Sequence, residues 1–214
     1  MKIGIFGTGP MGGAIAAAML ALGHEVKLGT REPWSEKVRA WAAAAGPRAS
    51  SGSFSDAARF AELAFLATRW DGTENALRLA GPDSLRGKVV VDVTNPLVLS
   101  PLGPPKLAIG HTDSGGEQVQ RWLPGARVVK CFNSVGHALL AGPPLPGGPP
   151  DMFLCGDDPH ARQTVSELCR ALGWGSVDLG GIEGARLLEP LCVLWVTLGF
   201  RTNTWEHAFK LLRK

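Results

Sequence analysis

The chain has 214 residues and no tyrosine, although seven Trp and eight Phe are present. Any mechanism that needs a phenol hydroxyl as its proton donor is excluded. Asn and Gln together number seven, and Arg outnumbers Lys 14 to 8. With 16 Pro, that usage fits a thermophile, and a GC-rich genome produces the same bias. Only four cysteines occur (Cys131, Cys155, Cys169 and Cys192), 14 to 24 residues apart and never as CxxC. This spacing argues against a metal site and for buried, reduced thiols in a cytoplasmic protein. The formal charge is only +3 and no basic run reaches five residues, which argues against nucleic acid or an anionic membrane as partner. Charge is also missing from Ile3 to Gly23, 21 positions, as it would be in a signal peptide or a membrane span. Six glycines and Pro10 interrupt that stretch, and a translocated segment does not concentrate turn-formers at its centre, so the expectation is a soluble chain.

What is present is a 45% hydrophobic chain of a length that suits one compact domain over residues 1–214. Such a chain buries roughly 70% of its unfolded surface, so neither disulfide nor metal is needed for folding. Short β-like runs alternate with helix-like segments, the pattern of a parallel sheet covered on both faces. Strands are predicted at Ile3–Phe6, His24–Leu28, Ala64–Ala67, Lys88–Val93, Arg127–Phe132, Met152–Cys155 and Ser176–Leu179. Helices are predicted near Met11–Leu22, Ser35–Ala45, Thr73–Leu79 and His160–Leu172, and another opens on the Ser114-x-x-Glu117 capping box. A Pro-rich loop is expected from Asn95 to Lys106, and an irregular one through the Gly/Pro-rich segment from Gly136 to Pro150. From about residue 184 a helical extension follows, with helices near Ala185–Phe200 and Thr204–Leu212. Pro190 should kink the first of these.

Gly7-x-Gly9-x-x-Gly12 follows the first strand directly and opens the first helix. In that position the first glycine allows the tight turn, the second admits a pyrophosphate to the backbone, and the third lets helix and strand pack closely. Thr8, Pro10 and Met11 complete the loop, and the helix amides behind it carry the phosphate charge. The chain therefore reads as a dinucleotide-binding, doubly wound, mostly parallel α/β sheet of the Rossmann type with C-terminal helices. At the end of the second strand, NAD-binding units place an acid for the ribose hydroxyls. Here Gly29 stands there, followed by Thr30 and Arg31, a hydroxyl and a planar cation suited to a 2′-phosphate. Lys37 could add charge one to two turns on, so NADP(H) is the expected cofactor.

These residues, with three later motifs, resemble a known group. The run Ile3 to Arg31, then Val91-Asp92-Val93-Thr94-Asn95-Pro96, Val128-Val129-Lys130-Cys131-Phe132-Asn133-Ser134-Val135-Gly136 and Leu187-Leu188-Glu189-Pro190-Leu191 are similar to the NADPH-dependent coenzyme F420 reductase-like family. That family is related to pyrroline-5-carboxylate reductases and to the cytoplasmic part of the STEAP-type ferric reductases. The resemblance implies NADP(H)-dependent hydride transfer with a flavin or deazaflavin as co-substrate. It also implies a nicotinamide near Asn95, Pro96, Asn133 and Ser134. The front of the chain is similar to β-hydroxyacid dehydrogenases too. Those enzymes rely on a long helical second domain, and only about 35 residues follow the last predicted strand.

A carbonyl or imine reductase needs a proton donor beside the hydride. Without tyrosine the candidates are His137, next to Asn133 and Ser134, and His111, just ahead of the capping box. Asn133 and His137 are the expected catalytic pair. Thr68, after the third predicted strand, faces the same end of the sheet. A flavin-like acceptor relaxes the need for an acid, because its ring nitrogens take protons from water, and catalysis is then mostly positioning. Two other readings stay open at this point: an imine reductase, and an NADP(H)-sensing protein without turnover. Asp92, in an apolar strand, is expected to brace a neighbouring backbone. The C-terminal helices carry more apolar residues than one face can bury, so a homodimer built on them is expected.

Overall fold

Strand Lys2–Phe6 (β1) leads into helix Pro10–Ala21 (α1), and strand Glu25–Thr30 (β2) into helix Glu36–Ala44 (α2). Then come strand Ala49–Ser53 (β3), helix Phe54–Phe60 (α3), strand Leu63–Leu66 (β4), helix Trp70–Ala80 (α4) and strand Val89–Asp92 (β5). A hairpin of Leu97–Ser100 (β6) and Gly103–Leu107 (β7) precedes helix Gly115–Trp122 (α5) and strand Arg127–Lys130 (β8). Strand Asp151–Leu154 (β9), helix Pro159–Ala171 (α6), strand Gly175–Asp178 (β10) and helix Ala185–Thr202 (α7) complete the elements. This computed structural model describes residues 1–100, 103–142 and 145–214. Pro101 and Leu102, within the predicted Asn95–Lys106 loop, and Pro143 and Pro144, within the predicted irregular segment, lie outside the described residues.

Six strands form one sheet in the order β3-β2-β1-β4-β5-β8, every pair parallel. Successive side chains of a strand face opposite sides of the sheet, and here both sides are covered. Leu63, Phe65 and Val91 enter one core with Ile15 and Met19 of α1. Ala64, Leu66 and Val90 enter the other, with Ala57 of α3 and Leu77 of α4. Burial on both faces is why these strands read as continuous apolar runs. The chain winds outward from β1 through β2 to β3, then returns to β4 on the other side of β1. The carboxyl ends of β1 and β4 are thus the switch point at which open α/β sheets hold ligands.

Four local expectations are corrected. The third strand in the chain is Ala49–Ser53, with the sequence Ala-Ser-Ser-Gly-Ser. It lies at the sheet edge, where a polar strand is tolerated, so it carries no hydrophobic alternation to betray it. The helix after it, α3, has a complete capping box between Ser53 and Asp56. The loop expected at Asn95–Lys106 contains the antiparallel hairpin β6–β7. β9 and β10 leave the main sheet and pair in parallel with each other. Finally, no helix forms over Thr204–Leu212. Asn203 takes a left-handed conformation (φ 51°) and ends α7, and the chain folds back. Trp205 then packs on Trp195 and Phe200, with ring centroids 5.5 and 5.6 Å apart, while the Phe209 carbonyl accepts from the Asp151 amide. α7 itself runs unbroken through Pro190.

Candidate functional site

A cleft of about 510 Å³ opens at the switch point, lined by Gly7, Thr8, Gly9, Thr30, Arg31 and Thr68 among others. Its floor follows from three glycines. Gly7 sits at φ 125° against the Ala67 carbonyl, and a side chain on Gly12 would strike the Gly7 carbonyl. Gly9, by contrast, has nothing within 4 Å of where a Cβ would stand. That open position faces the end of α1, whose first turn contains no acidic residue and whose first residue, Pro10, has no amide to satisfy. The α1 amides are therefore available to an anion. Pro10 is exposed and Met11 packs into the core, so neither lines the cleft.

On the cleft's other wall the glycine at the end of β2 has a steric cause. A Cβ on Gly29 would lie 2.9 Å from the Ala57 Cβ and 3.2 Å from the Phe54 ring, because α3 packs directly over it. An acid cannot stand at that position without displacing α3. Thr30 accepts a hydrogen bond from the Glu32 amide at 3.2 Å, which turns the chain and leaves Arg31 exposed on the lining. Among the described residues Arg31 has no carboxylate partner. The donor set fits a dinucleotide with a 2′-phosphate: open backbone at Gly9, free helix amides, and an unspent guanidinium. Lys37 is exposed on the first turn of α2 and does not line the cleft. The Thr68 hydroxyl is engaged with Thr73 at 2.9 Å.

The second half of the candidate set gathers beyond β5 and β8. Asn95 Nδ2 donates to the Asn133 carbonyl at 2.8 Å, and Asn133 Nδ2 donates to Asn95 Oδ1 at 2.9 Å and to the Leu188 carbonyl at 2.8 Å. Asn133 is 4% exposed, so its amide protons brace two loops and α7. Phe132, immediately before it, holds φ 58° while fully buried, a strained conformation for a bulky side chain, costing about 1–3 kcal/mol. That twist swings Asn133 off the β8 axis toward Asn95. Ser134 and Pro96 are buried beside them. His137 is exposed on a short 3-10 turn and His111 is exposed at φ 62°; neither contributes to the cleft lining.

The residues that sequence reasoning missed are Lys130 and Glu189. Lys130 is 0% exposed and lies in ion pairs with Asp92 Oδ2 at 2.7 Å and Glu189 Oε1 at 2.9 Å. Burial alone would lower the lysine's pKa, but the two facing carboxylates outweigh it and hold the ammonium above its ordinary value. Asp92 does brace backbone as expected, its Oδ1 accepting from the Thr94 amide and hydroxyl at 2.9 and 2.7 Å. Its lysine partner was the missing half. A signal existed: a lysine closing the apolar run Val128–Val129 faces the same desolvation cost as Asp92. Cys131 and Cys169 approach within 3.6 Å as buried thiols, and burial pushes the Cys131 pKa well up.

The chain matches the family described as NADP oxidoreductase, coenzyme F420-dependent, over residues 2–96. A solved structure of a putative F420-dependent NADP-reductase from Arthrobacter sp. FB24 is 38% identical, covers all of both chains and superposes with a TM-score of 0.92. The F420-dependent NADP reductase of Methanothermobacter marburgensis is 28% identical over 224 residues, covering 99% of this chain and 98% of that one. Metalloreductase STEAP3 of Rattus norvegicus is 32% identical over 192 residues, 89% of this chain. The match spans only 36% of that longer metalloreductase.

Proposed function

The chain belongs to the coenzyme F420-dependent NADP oxidoreductase family, and from that premise we propose that it moves a hydride between NADP(H) and a flavin-like or deazaflavin acceptor. The observation that carries the cofactor half is Gly29: α3 denies its position to an acid, and the next exposed side chain on the cleft is the unpartnered Arg31. The acceptor class is supported by the relatives matched over nearly their whole length, which are F420-dependent NADP reductases, established or putative.

The nicotinamide supplies the hydride when bound. Thr30 and Arg31 would hold the 2′-phosphate, and the Gly7–Gly12 turn with Thr8 would seat the pyrophosphate against the α1 amides. Asn95, Pro96, Asn133 and Ser134 would frame the nicotinamide side, Asn133 acting through its fixed backbone rather than its spent amide protons. His137 is the proposed proton donor only for an acceptor that needs one. With a deazaflavin or flavin the site needs only to orient two ring faces and exclude water.

The test is NADPH consumption against a panel of coenzyme F420, FMN, FAD and a quinone, with NADH in parallel. Turnover with F420 or a flavin and preference for NADPH are expected. Tight NADPH binding without turnover of any acceptor would make the chain a sensor instead.

We further propose a homodimer formed through α7. Leu187, Leu194 and Leu198 follow one another at spacings of seven and four on that helix and stay exposed, Leu187 at 67%. Val98 and Leu99 of the β6–β7 hairpin, which packs against α7, are exposed as well. Apolar patches of this kind mark interfaces. Among the described residues no helix is long and apolar enough to cross a membrane. Four buried thiols suit the proposed cytoplasmic setting.

A further inference from the structure

Beneath the nicotinamide side lies a network that hydride transfer does not itself require. Lys130 Nζ donates to the Thr94 carbonyl at 2.7 Å and lies in ion pairs with Asp92 Oδ2 and Glu189 Oε1. Glu189 also accepts from the α5 amides of Gly115 and Gly116, at 3.0 and 2.9 Å, where the helix dipole favours a carboxylate. All three charged side chains are at most 1% exposed. Two carboxylates and one ammonium leave a net negative charge, answered by the α5 N-terminus and by Thr94.

Stability does not explain such a trio, because well-packed apolar residues of similar volume are often as stable or more so. The network instead fixes geometry. Asp92 holds the Thr94 amide and Lys130 the Thr94 carbonyl, so the direction in which the chain leaves for Asn95–Pro96 is determined at both ends of one residue. Glu189 seats the N-terminus of α5. Its neighbour Leu188 offers the carbonyl that receives Asn133. No side chain of the network bonds to Gly7, Thr8, Gly9, Thr30 or Arg31.

We propose that Asp92, Lys130 and Glu189 are the positioning residues for the nicotinamide half of the cofactor, setting the Asn95–Asn133 pair while leaving the adenosine half of the cleft independent. This rests on the NADP(H) reading above. The experiment compares two ligands, NADPH and adenosine 2′,5′-bisphosphate, which presents only the adenosine half. In Glu189→Gln one acceptor oxygen becomes an amide facing donors. Its dissociation constant for the bisphosphate should stay within about twofold of wild type, while NADPH weakens about tenfold, comparable to the loss of one charge-assisted hydrogen bond. Equal loss for both ligands, or loss for neither, overturns the proposal.

Should the variant not fold, hydrogen exchange on the wild-type protein decides. NADPH, but not the bisphosphate, should slow exchange over residues 92–97 and 114–118, and equal protection by both, or none by NADPH, overturns the proposal. Wild-type protein that binds neither ligand overturns the NADP(H) reading itself, and the network's role with it.

Discussion

At Gly29 a missing side chain bears on the proposed cofactor more directly than any charge does. The glycine lies under α3, so the acid that reads a ribose diol has no room, and in the proposed reading Thr30 and Arg31 take a 2′-phosphate instead. Arg31→Ala should therefore weaken NADPH about 10- to 150-fold, the loss of a charge-assisted hydrogen bond worth about 1.5–3 kcal/mol, and leave NADH nearly unchanged in titrations. Gly29→Asp should not convert the protein to NADH. It should destabilise the fold by about 1–3 kcal/mol through overpacking, read as a lower midpoint in denaturant melts; an unchanged midpoint with new NADH affinity would contradict this. The strand-turn-helix that brings the glycine loop, Thr30 and Arg31 to one cleft was legible in the sequence because it is local. The charge on Lys130 was not, because Asp92 and Lys130 become direct partners only in the parallel register of β5 on β8, and Glu189 arrives from a helix 59 residues further on.

Among the elements, α5 and α7 are tied together at the surface as well as in the core. Glu117 was expected to close a capping box. Its amide does donate to the Ser114 hydroxyl, but its carboxylate takes that hydroxyl's proton and a bidentate bond from Arg186 at 2.9 and 2.5 Å. The Arg186 hydrogen bonds, with help from Ser114, hold the Glu117 carboxyl below its usual 4.5. A carboxyl so depressed binds fewer protons folded than unfolded, so its stabilisation is complete above about pH 4.5 and fades as the pH falls further. Glu117→Gln should lower the Tm at pH 7 and flatten its decline below pH 4.5; melts from pH 3 to 7 check both. α6, with a clear apolar face, was readable from periodicity; α1, apolar all round, was placed by the glycine loop ahead of it, and the doubly buried strands were readable as apolar runs. β3 was not, since an edge strand of serines has no period to read. The failed helix at Thr204–Leu212 shows the opposite error, an apolar spacing met without a helix, with Trp205 packed on Trp195 and Phe200.

For the whole molecule, the exposed apolar face of α7 is the proposed dimer seam. Light scattering should give a particle of twice 22.6 kDa, and Leu187→Glu with Leu194→Glu should halve it; a wild-type monomer with full activity would refute the dimer. Association by sheet extension is a different matter, and the two borders of the central sheet bear on it. On one side β8 is closed off by the Cys155 bridge, whose amide and carbonyl exchange hydrogen bonds with Lys130 at 3.1 and 2.8 Å. On the other, β3 offers only five residues, three of them serine and one glycine. Short, polar borders template poorly for foreign strands. Crowded or partly heated solutions of this protein should accordingly stay free of the thioflavin-positive fibrils that long apolar borders seed, and losses on storage should follow global unfolding rather than strand-by-strand polymerisation of native molecules.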